Sequence, residues 1–232
     1  ASNDPFWHGA GSVLARHVAP HETRVFGAPS TAAIACARLG WAGEDIAVLA
    51  LHASPLSHVR PALRPGGRLI VLVRDGAAVA DLAALLTGFG FGASRLHVLE
   101  SLGGPRERVR TVIAADYDLA DVAHPVAVAI EAVATADAVI VGAGSGLPDH
   151  AFEHDGQLTK REVRAITLST LAPRGGELLW DVGAGSGSIG IEWLLADRHN
   201  RAIAIEGNPE RAARARANAD RLGVPHLEVR LG

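Results

Sequence analysis

The stretch from Leu179 to Glu206 restricts the fold more than any other part of the sequence. A short apolar run ends at Val182, a glycine-rich turn follows, and a helical pattern then leads to a second apolar run that ends in an acid. This order predicts a β-α-β unit. In such a turn, glycines let the backbone approach a ligand and the helix N-terminus offers free N–H groups. The stretch therefore predicts a nucleotide-binding site.

The glycine spacing distinguishes two classes of nucleotide site. A dinucleotide dehydrogenase needs G-x-G-x-x-G, but the sixth position counted from Gly183 is Ser188, so that template fails. The G-x-G-x-G pattern of Gly183, Gly185 and Gly187, here called the glycine loop, follows Asp181. It resembles the first motif of class I S-adenosylmethionine (SAM)-dependent methyltransferases. The resemblance implies that the loop passes the methionine part of SAM and that Asp181 holds the loop and the cofactor's amino end.

Glu206 supports nucleotide binding without deciding between the two classes. It ends the strand after the glycine loop, where a carboxylate can accept hydrogen bonds from both ribose hydroxyls. Dehydrogenases share this feature. The alternative is a glycine-rich turn that binds no ligand.

A near copy of the glycine loop precedes it in the sequence. Gly142, Gly144 and Gly146, the second glycine loop, follow an apolar run but are followed by Leu147, Pro148 and Asp149. Because this continuation does not begin a helix promptly, no N–H cradle for a nucleotide is expected. We interpret the segment as part of a linker.

The chain is expected to contain an α/β region on each side of this linker. Six β-rich runs alternate with Ala-rich helical runs before it, and the two that flank Gly103-Gly104-Pro105 read as an antiparallel hairpin, so the first sheet should be mixed. The strand candidates are Thr23 to Phe26, Asp45 to Leu51, Arg68 to Val73, Arg95 to Leu99, Arg108 to Ala114 and Val126 to Ile130. We predict a first domain over 1–131, a linker over 132–150 and a second domain over 151–232.

Local signals are more regular in the second domain. Thr159 and Glu162 form a capping-box pattern that opens a helix ending before Pro173, with Val163 and Ile166 among the apolar residues at helical spacing. Asn208 is expected to cap the helix that follows Glu206. Three strands are few for a sheet, so this domain is expected to be incomplete as given.

Composition limits the classes of partner. Net charge is −3, and the basic residues are scattered, so a nucleic-acid partner is not expected. No apolar run reaches the ~18 residues of a membrane span, which argues against a membrane partner.

Cys36 is the single cysteine, so neither a disulfide nor a thiolate metal cluster is expected, and the cytoplasm is the expected compartment. The absence of Met and the start at Ala1 suggest a fragment or omitted residues.

Longer motifs extend the likeness to almost the whole chain. The segments Gly146 to Asp149 and Phe152 to Arg164, followed by the glycine loop, resemble the C-terminal half of the precorrin-6Y C5,15-methyltransferase (decarboxylating) family of cobalamin biosynthesis. Asp4-Pro5-Phe6-Trp7 resembles the Ser-Gly-Asp-Pro segment of tetrapyrrole (class III) methyltransferases, although Asn3 stands where glycine is usual. Further likeness comes from Pro29-Ser30, Ala37 to Trp41, Leu51-His52 and Leu102 to Glu107.

The resemblance implies a fold, a reaction and site residues. The fold would be α/β, a class III tetrapyrrole methyltransferase-like mixed-sheet unit lacking its N-terminal part, then a Rossmann-like class I methyltransferase unit lacking its C-terminal part. The first unit would methylate precorrin C5, and the second would methylate C15 and promote decarboxylation of an acetate side chain, with SAM as cofactor. Asp4 and Ser30 would approach SAM in the first unit, and turn formation is their alternative role.

Candidate substrate and catalytic residues have ordinary structural alternatives. Lys160, Arg161 and Arg164 lie beside the predicted cofactor loop and are candidates for binding substrate carboxylates, or for a solvated helix face. Nearly all basic residues are arginine, which coding bias explains most simply; the alternative is that some of these arginines bind a polyanionic ligand. His154 and Asp155 are candidates for proton relay during decarboxylation, together with Lys160 as a catalytic residue; a loop held by hydrogen bonds is the alternative. His52 either lines the first cleft and binds substrate, or simply packs.

Rival functions remain at this point. The alternatives are another small-molecule methyltransferase, a non-catalytic subunit that binds SAM or a tetrapyrrole, and a nicotinamide-dependent reductase. The expected partners are a polycarboxylate precorrin and further copies of the chain in a homo-oligomer.

Overall fold

The computed structural model describes residues 4–6, 9–142 and 144–232. Asn3 and Trp7 of the N-terminal motif, and Ala143 of the second glycine loop, lie outside the described residues. The chain divides into two compact units. The first comprises Ala1–Ser54 and Pro65–Ala136, and the second comprises Pro55–Arg64 and Asp137–Gly232. The predicted domain bounds at 131 and 151 stay predictions.

The first unit is a mixed α/β structure with a five-stranded sheet in the order β1-β2-β5-β3-β4. Strands β1 and β2 are parallel and the other neighbours are antiparallel, so the prediction of a mixed sheet is confirmed. The predicted hairpin is β3 and β4. The elements are α1 Gly11–Leu14, α2 Thr31–Leu39, β1 Ile46–Ala50, β2 Arg68–Leu72, α3 Gly76–Gly88, β3 Arg95–Glu100, β4 Arg108–Ile113 and β5 Val126–Glu131.

The strand predicted at Thr23 to Phe26 is wrong. This segment has no regular secondary structure, and its apolar side chains Val25 and Phe26 are 51% and 77% exposed. A strand forms where a neighbour supplies hydrogen bonds and side-chain contacts, and no described strand pairs with this run. Apolar composition without a partner was therefore a misleading signal.

The second unit has a three-stranded parallel sheet in the order β6-β7-β8. The prediction of a β-α-β unit is confirmed, because α5 connects two parallel strands. Asn208 caps α6 as predicted, since its Oδ1 accepts hydrogen bonds from the backbone of Glu210 and Arg211. The elements are α4 Arg161–Leu171, β6 Leu178–Val182, α5 Ser188–Ala196, β7 Arg201–Glu206, α6 Pro209–Arg221 and β8 Glu228–Leu231.

Helix α4 differs from its prediction in its start and in its buried face. Its N-cap is Lys160, whose side chain makes no capping hydrogen bond, so the predicted Thr159 capping box is wrong. Val163 and Ile166 are exposed, whereas Arg164 and Leu168 face the core. The reason for both differences is a set of contacts made by Arg164, described below. These contacts turn the face of α4 that carries Arg164 toward the core.

The second glycine loop leads into the core of the second unit. Val141 and Leu147, on either side of it, are buried in the same apolar cluster as Phe152 and Leu168. No helix begins directly after Gly146, as predicted, and only a short 3₁₀ turn follows at Asp149–Ala151. The segment is therefore packed against the second unit along part of its length.

Candidate cofactor site

The glycine loop connects the end of β6 to the start of α5. Gly183, Gly185 and Gly187 have φ angles of +77°, +58° and +76°, which favour glycine. The Gly183 and Ala184 N–H groups donate to the Ile205 carbonyl, so the loop is fastened to β7. A Cβ on Gly187 would lie 3.1 Å from the Cβ of Ala215 on α6. Backbone conformation therefore favours glycine at all three positions, and the close approach of α6 favours it further at Gly187.

Glu206 lies at the end of β7 beside the loop, as predicted. Its Oε2 accepts a hydrogen bond from Gly185 N at 2.7 Å, and its Oε1 accepts one from Asn208 N at 2.9 Å. These backbone bonds, first that from Asn208 and then that from Gly185, lower the pKa of the Glu206 carboxyl. An ionised carboxylate has about four acceptor positions, so two are left for ligand hydroxyls.

Asp181 lies next to the loop and contacts the helix that follows it. Its Oδ2 accepts a hydrogen bond from Gly190 N at 3.1 Å, in the first turn of α5. Burial raises the pKa of this carboxyl. Asp181 therefore orients the start of α5 behind the glycine loop.

A cleft of about 410 Å³ lies in front of the glycine loop. The loop with Glu206 forms one part of its wall, and the segment 156–159 forms another. Arg211 of α6 also faces the cleft. The lining residues are Gly156, Gln157, Leu158, Thr159, Gly183, Ala184, Gly185, Ser186, Ser188, Glu206 and Arg211.

His154 and Asp155 immediately precede the wall segment; His154 bonds within its own loop, and Asp155 contacts α6. His154 Nδ1 accepts a hydrogen bond from Gly156 N at 3.0 Å. Asp155 Oδ2 lies 2.7 Å from Arg211 Nε and 3.5 Å from an Arg214 nitrogen. The Arg211 hydrogen bond is the main cause that lowers the pKa of Asp155 to about 2. Asp155 therefore stays ionised at neutral pH, which favours a role in holding the loop over proton relay.

Lys160 and Arg161 lie at the start of α4 and are exposed. The Nζ of Lys160, whose side chain is 64% exposed, lies 3.7 Å from Asp149 Oδ2. Arg161 crosses close to Gly146, where its Cγ would be 3.7 Å from an added Cβ. Both side chains are accessible to a ligand and to solvent alike.

Arg164 corrects both interpretations made from the sequence, because it is neither on a wet helix face nor available to a substrate. Its side chain is 0% exposed, and its Nε donates to Glu192 Oε1 at 2.6 Å. The other guanidinium nitrogens donate to the Thr159 carbonyl at 2.5 Å, to the Leu147 carbonyl and to Asp149. The guanidinium is occupied by its own chain.

Glu192 was missed by the sequence interpretation. Its Oε2 accepts a hydrogen bond from Gly146 N at 2.6 Å and its Oε1 accepts one from Leu147 N at 2.9 Å. The last glycine of the second glycine loop and the residue after it therefore present N–H groups to an anion after all, but the anion is a carboxylate of the same chain. The signal in the sequence was a single acid inside the apolar helix Ser188–Ala196, since a buried charge needs a partner.

The first unit contains a second cleft of about 470 Å³, and His52 is among its lining residues, as are the unpredicted Arg74 and His124. Ser30 Oγ accepts a hydrogen bond from Ala33 N at 3.2 Å and caps α2, whose first residue Thr31 lines the cleft. Asp4 Oδ1 accepts a hydrogen bond from Phe6 N at 3.0 Å. The Ser30 contact is that of a helix cap, and the Asp4 contact with Phe6 is that of a turn residue.

The described residues contain neither a candidate metal site nor a candidate membrane-spanning helix. No group of three or more His, Cys, Asp or Glu side chains is arranged to hold a metal ion. No helix in this part of the chain is long and apolar enough to cross a membrane.

Comparison with known proteins gives consistent names. Residues 150–232 match the family model described as Precorrin methyltransferase domain. A precorrin-6Y C(5,15)-methyltransferase (decarboxylating) of Sinorhizobium sp is 56% identical over 230 residues, which are 99% of this chain and 55% of that relative. A protein of the same name from Mycobacterium tuberculosis (strain ATCC 25618 / H37Rv) is 41% identical over 97% of this chain and 56% of its own length.

Among solved structures, the C-terminal domain of precorrin-6Y C5,15-methyltransferase from Rhodobacter capsulatus is 48% identical, with a TM-score of 0.37, over 39% of this chain and 48% of that chain. The chain spans about half the length of the curated relatives it matches. It is thus a homologue, over nearly all of its residues, of the proteins named precorrin-6Y C(5,15)-methyltransferase (decarboxylating), and residues 150–232 belong to the precorrin methyltransferase domain family.

Proposed function

We propose that this chain belongs to an enzyme that uses SAM to methylate a precorrin at C5 and C15 and removes an acetate carboxyl group as carbon dioxide, in cobalamin biosynthesis. The observation that carries the proposal is the pairing of Glu206 with the glycine loop at the 410 Å³ cleft. The names of the relatives supply the substrate class and the positions of methylation.

The proposal includes two methyltransferase units in one chain. The first, over 1–131, is of the class III tetrapyrrole methyltransferase type and acts at C5. The second, over 151–232, is of the Rossmann-like class I type and acts at C15. The parallel β-α-β arrangement of the second unit, and the mixed sheet of the first, are what this division requires.

The cleft in the second unit fits a SAM molecule chemically. Glu206 has acceptor positions left for two ribose hydroxyls, and the backbone of Gly183, Gly185 and Gly187 leaves room for close approach. Asp181 keeps the start of α5 in place behind the loop. When bound, SAM supplies the electrophilic methyl group. In the first unit, Asp4 and Ser30 are proposed to lie near the cofactor. Each of them accepts a hydrogen bond from a backbone N–H close in sequence.

The residues of the chain contribute chiefly by positioning. A carbon nucleophile must be held in line with the methyl group, and water must be kept away. Exposed Lys160 and Arg161 are proposed to bind precorrin carboxylates in the second unit, as is His52 in the first. His154 accepts a hydrogen bond at Nδ1, so Nε2 is the ring nitrogen left to exchange a proton, and we propose that it takes part in proton relay during the decarboxylation. We propose a homo-oligomer without nucleic-acid or membrane partners.

The reaction is tested by mass analysis of a single turnover. Full-length protein, SAM and a precorrin should yield a product with two added methyl groups and one carbon dioxide lost. Another small-molecule methyltransferase would leave the precorrin unchanged, and a non-catalytic subunit would bind SAM without turnover. Either result would contradict the proposal.

The cofactor site is tested by calorimetric titration with S-adenosylhomocysteine. We expect Asp181→Ala in the full-length protein to weaken binding at the second unit by about tenfold, because one hydrogen bond to a charged group contributes roughly 1.5–3 kcal/mol. Asp197→Ala is the matched control, since Asp197 accepts a backbone hydrogen bond from His199 beyond the far end of α5. Equal affinities of wild type and Asp181→Ala would refute the assignment.

A further inference from the structure

We propose that residues 155–159, here called the strap, form a fixed wall of the cofactor cleft, and that Asp155 is a positioning residue that holds the strap to α6 through Arg211. The inference rests on the proposed function, because it takes the cleft to be the SAM site. It gives Asp155 a task other than the proton relay expected from the sequence.

The strap has no regular secondary structure of its own, yet Gly156, Gln157, Leu158 and Thr159 line the cleft together with the glycine loop. Leu158 packs against the apolar core of the second unit. A wall without helix or strand hydrogen bonds keeps its shape only if side chains from elsewhere hold it.

The first end is fastened by one carboxylate with three contacts. Asp155 Oδ2 lies 2.7 Å from Arg211 Nε and 3.5 Å from Arg214 on the same side of α6. Asp155 Oδ1 accepts a hydrogen bond from Gln157 N at 3.2 Å. The side chains of Asp155 and Arg211 are about one-third exposed, at 32% and 29%. Removing one partner from a partly exposed ion pair costs less stability than removing one from a buried pair, so the unit should stay folded.

The second end is fastened by the buried arginine. Arg164 donates to the Thr159 carbonyl at 2.5 Å from a guanidinium that is itself wholly buried. The strap is thus held between two arginines that belong to different helices. A short segment with both ends fixed loses little conformational entropy when a ligand binds against it, which raises the ligand's affinity.

The link between Asp155 and Arg211 also decides which way the arginine points. Arg211 lines the cleft while its charge is paired with Asp155. Removing the acid would therefore have opposite effects under two interpretations. If the ion pair serves to hold the strap in place, its loss weakens ligand binding. If the ion pair instead keeps Arg211 away from the ligand, its loss frees Arg211 and strengthens ligand binding.

The first measurement is the affinity for S-adenosylhomocysteine, titrated into the full-length protein. We expect Asp155→Asn to weaken binding by about threefold to fivefold. Asp155→Glu, which keeps the charge, should recover part of the loss. Because both partners act through one contact, Asp155→Asn combined with Arg211→Gln should weaken binding no more than the stronger single change. The matched control is Glu228→Gln, which removes an acid from an exposed ion pair with Arg230 on β8.

The second measurement needs no ligand. Hydrogen exchange of the strap amides should be faster in Asp155→Asn than in wild type, and unchanged in Glu228→Gln. Faster exchange together with weaker binding supports the proposal. Unchanged or tighter binding overturns it, as does unchanged exchange. If the wild-type protein does not bind S-adenosylhomocysteine, the proposed function fails, and the exchange rates still decide whether Asp155 holds the strap.

Discussion

Glu192→Ala is expected to lower the free energy of unfolding of the second unit by about 3–5 kcal/mol, which is the usual effect of removing one partner from a buried ion pair. The side chains of Glu192 and Arg164 are 1% and 0% exposed. Alanine would leave the Arg164 guanidinium buried with only Asp149 as a charged partner. It would also remove the acceptor of two backbone N–H groups, those of Gly146 and Leu147.

Urea unfolding followed by circular dichroism measures this change. Glu162→Ala is a suitable control, because Glu162 is an exposed acid on α4 and such substitutions usually stay within about 0.5 kcal/mol. Replacing the pair together, as Glu192→Leu with Arg164→Met, should cost less than Glu192→Ala, since no charge is then left buried. A loss below about 1 kcal/mol in Glu192→Ala would show that the pair is not needed for stability.

Glu206→Gln is expected to weaken S-adenosylhomocysteine binding by about a hundredfold. Both carboxylate oxygens accept backbone N–H groups, from Gly185 and from Asn208. A glutamine amide has a single oxygen, so its NH₂ group must face one of these N–H donors. The charge that would bind two ribose hydroxyls is lost as well, and hydrogen bonds to charged groups contribute roughly 1.5–3 kcal/mol each.

Calorimetry on the full-length protein measures the affinity at this site. Glu177→Gln serves as the control, because Glu177 also accepts a backbone N–H, from Arg174, but lies before β6 and outside the cleft lining. Its affinity should equal that of wild type. If Glu206→Gln binds as tightly as the control, Glu206 does not contact the ligand.

The two glycine loops illustrate what short-range sequence patterns can distinguish. Their glycine spacing is the same, and the difference seen in the sequence was the helix that follows Gly187 and does not follow Gly146. The structure has that difference, with α5 beginning at Ser188. The sequence interpretation did not foresee that Gly146 N–H would bind Glu192, because the two residues are 46 positions apart. Contacts of that separation depend on how α5 packs.

Arg164 marks the same limit for a single side chain. Its neighbours in the sequence suggested a basic cluster for a substrate, and the apolar residues of α4 suggested the opposite helix face as the buried one. The observed rotation of α4 buries Arg164 and Leu168 and exposes Ile166. Helical spacing predicts which residues share a face. It does not predict which face is buried when Glu192 on α5 can pair with a buried arginine.

The amino-acid order alone was enough for the features that neighbours in the chain control. These are the β-α-β unit, the glycine loop between strand and helix, the Asn208 cap and the acid at the end of β7, because each depends on backbone conformation within a few residues. Tertiary packing alone decided that Arg164 and Glu192 pair inside the unit and that Asp155 binds Arg211 beside the cleft. Those pairings join charges from separate helices and loops, and a charge finds its partner only after the chain has folded.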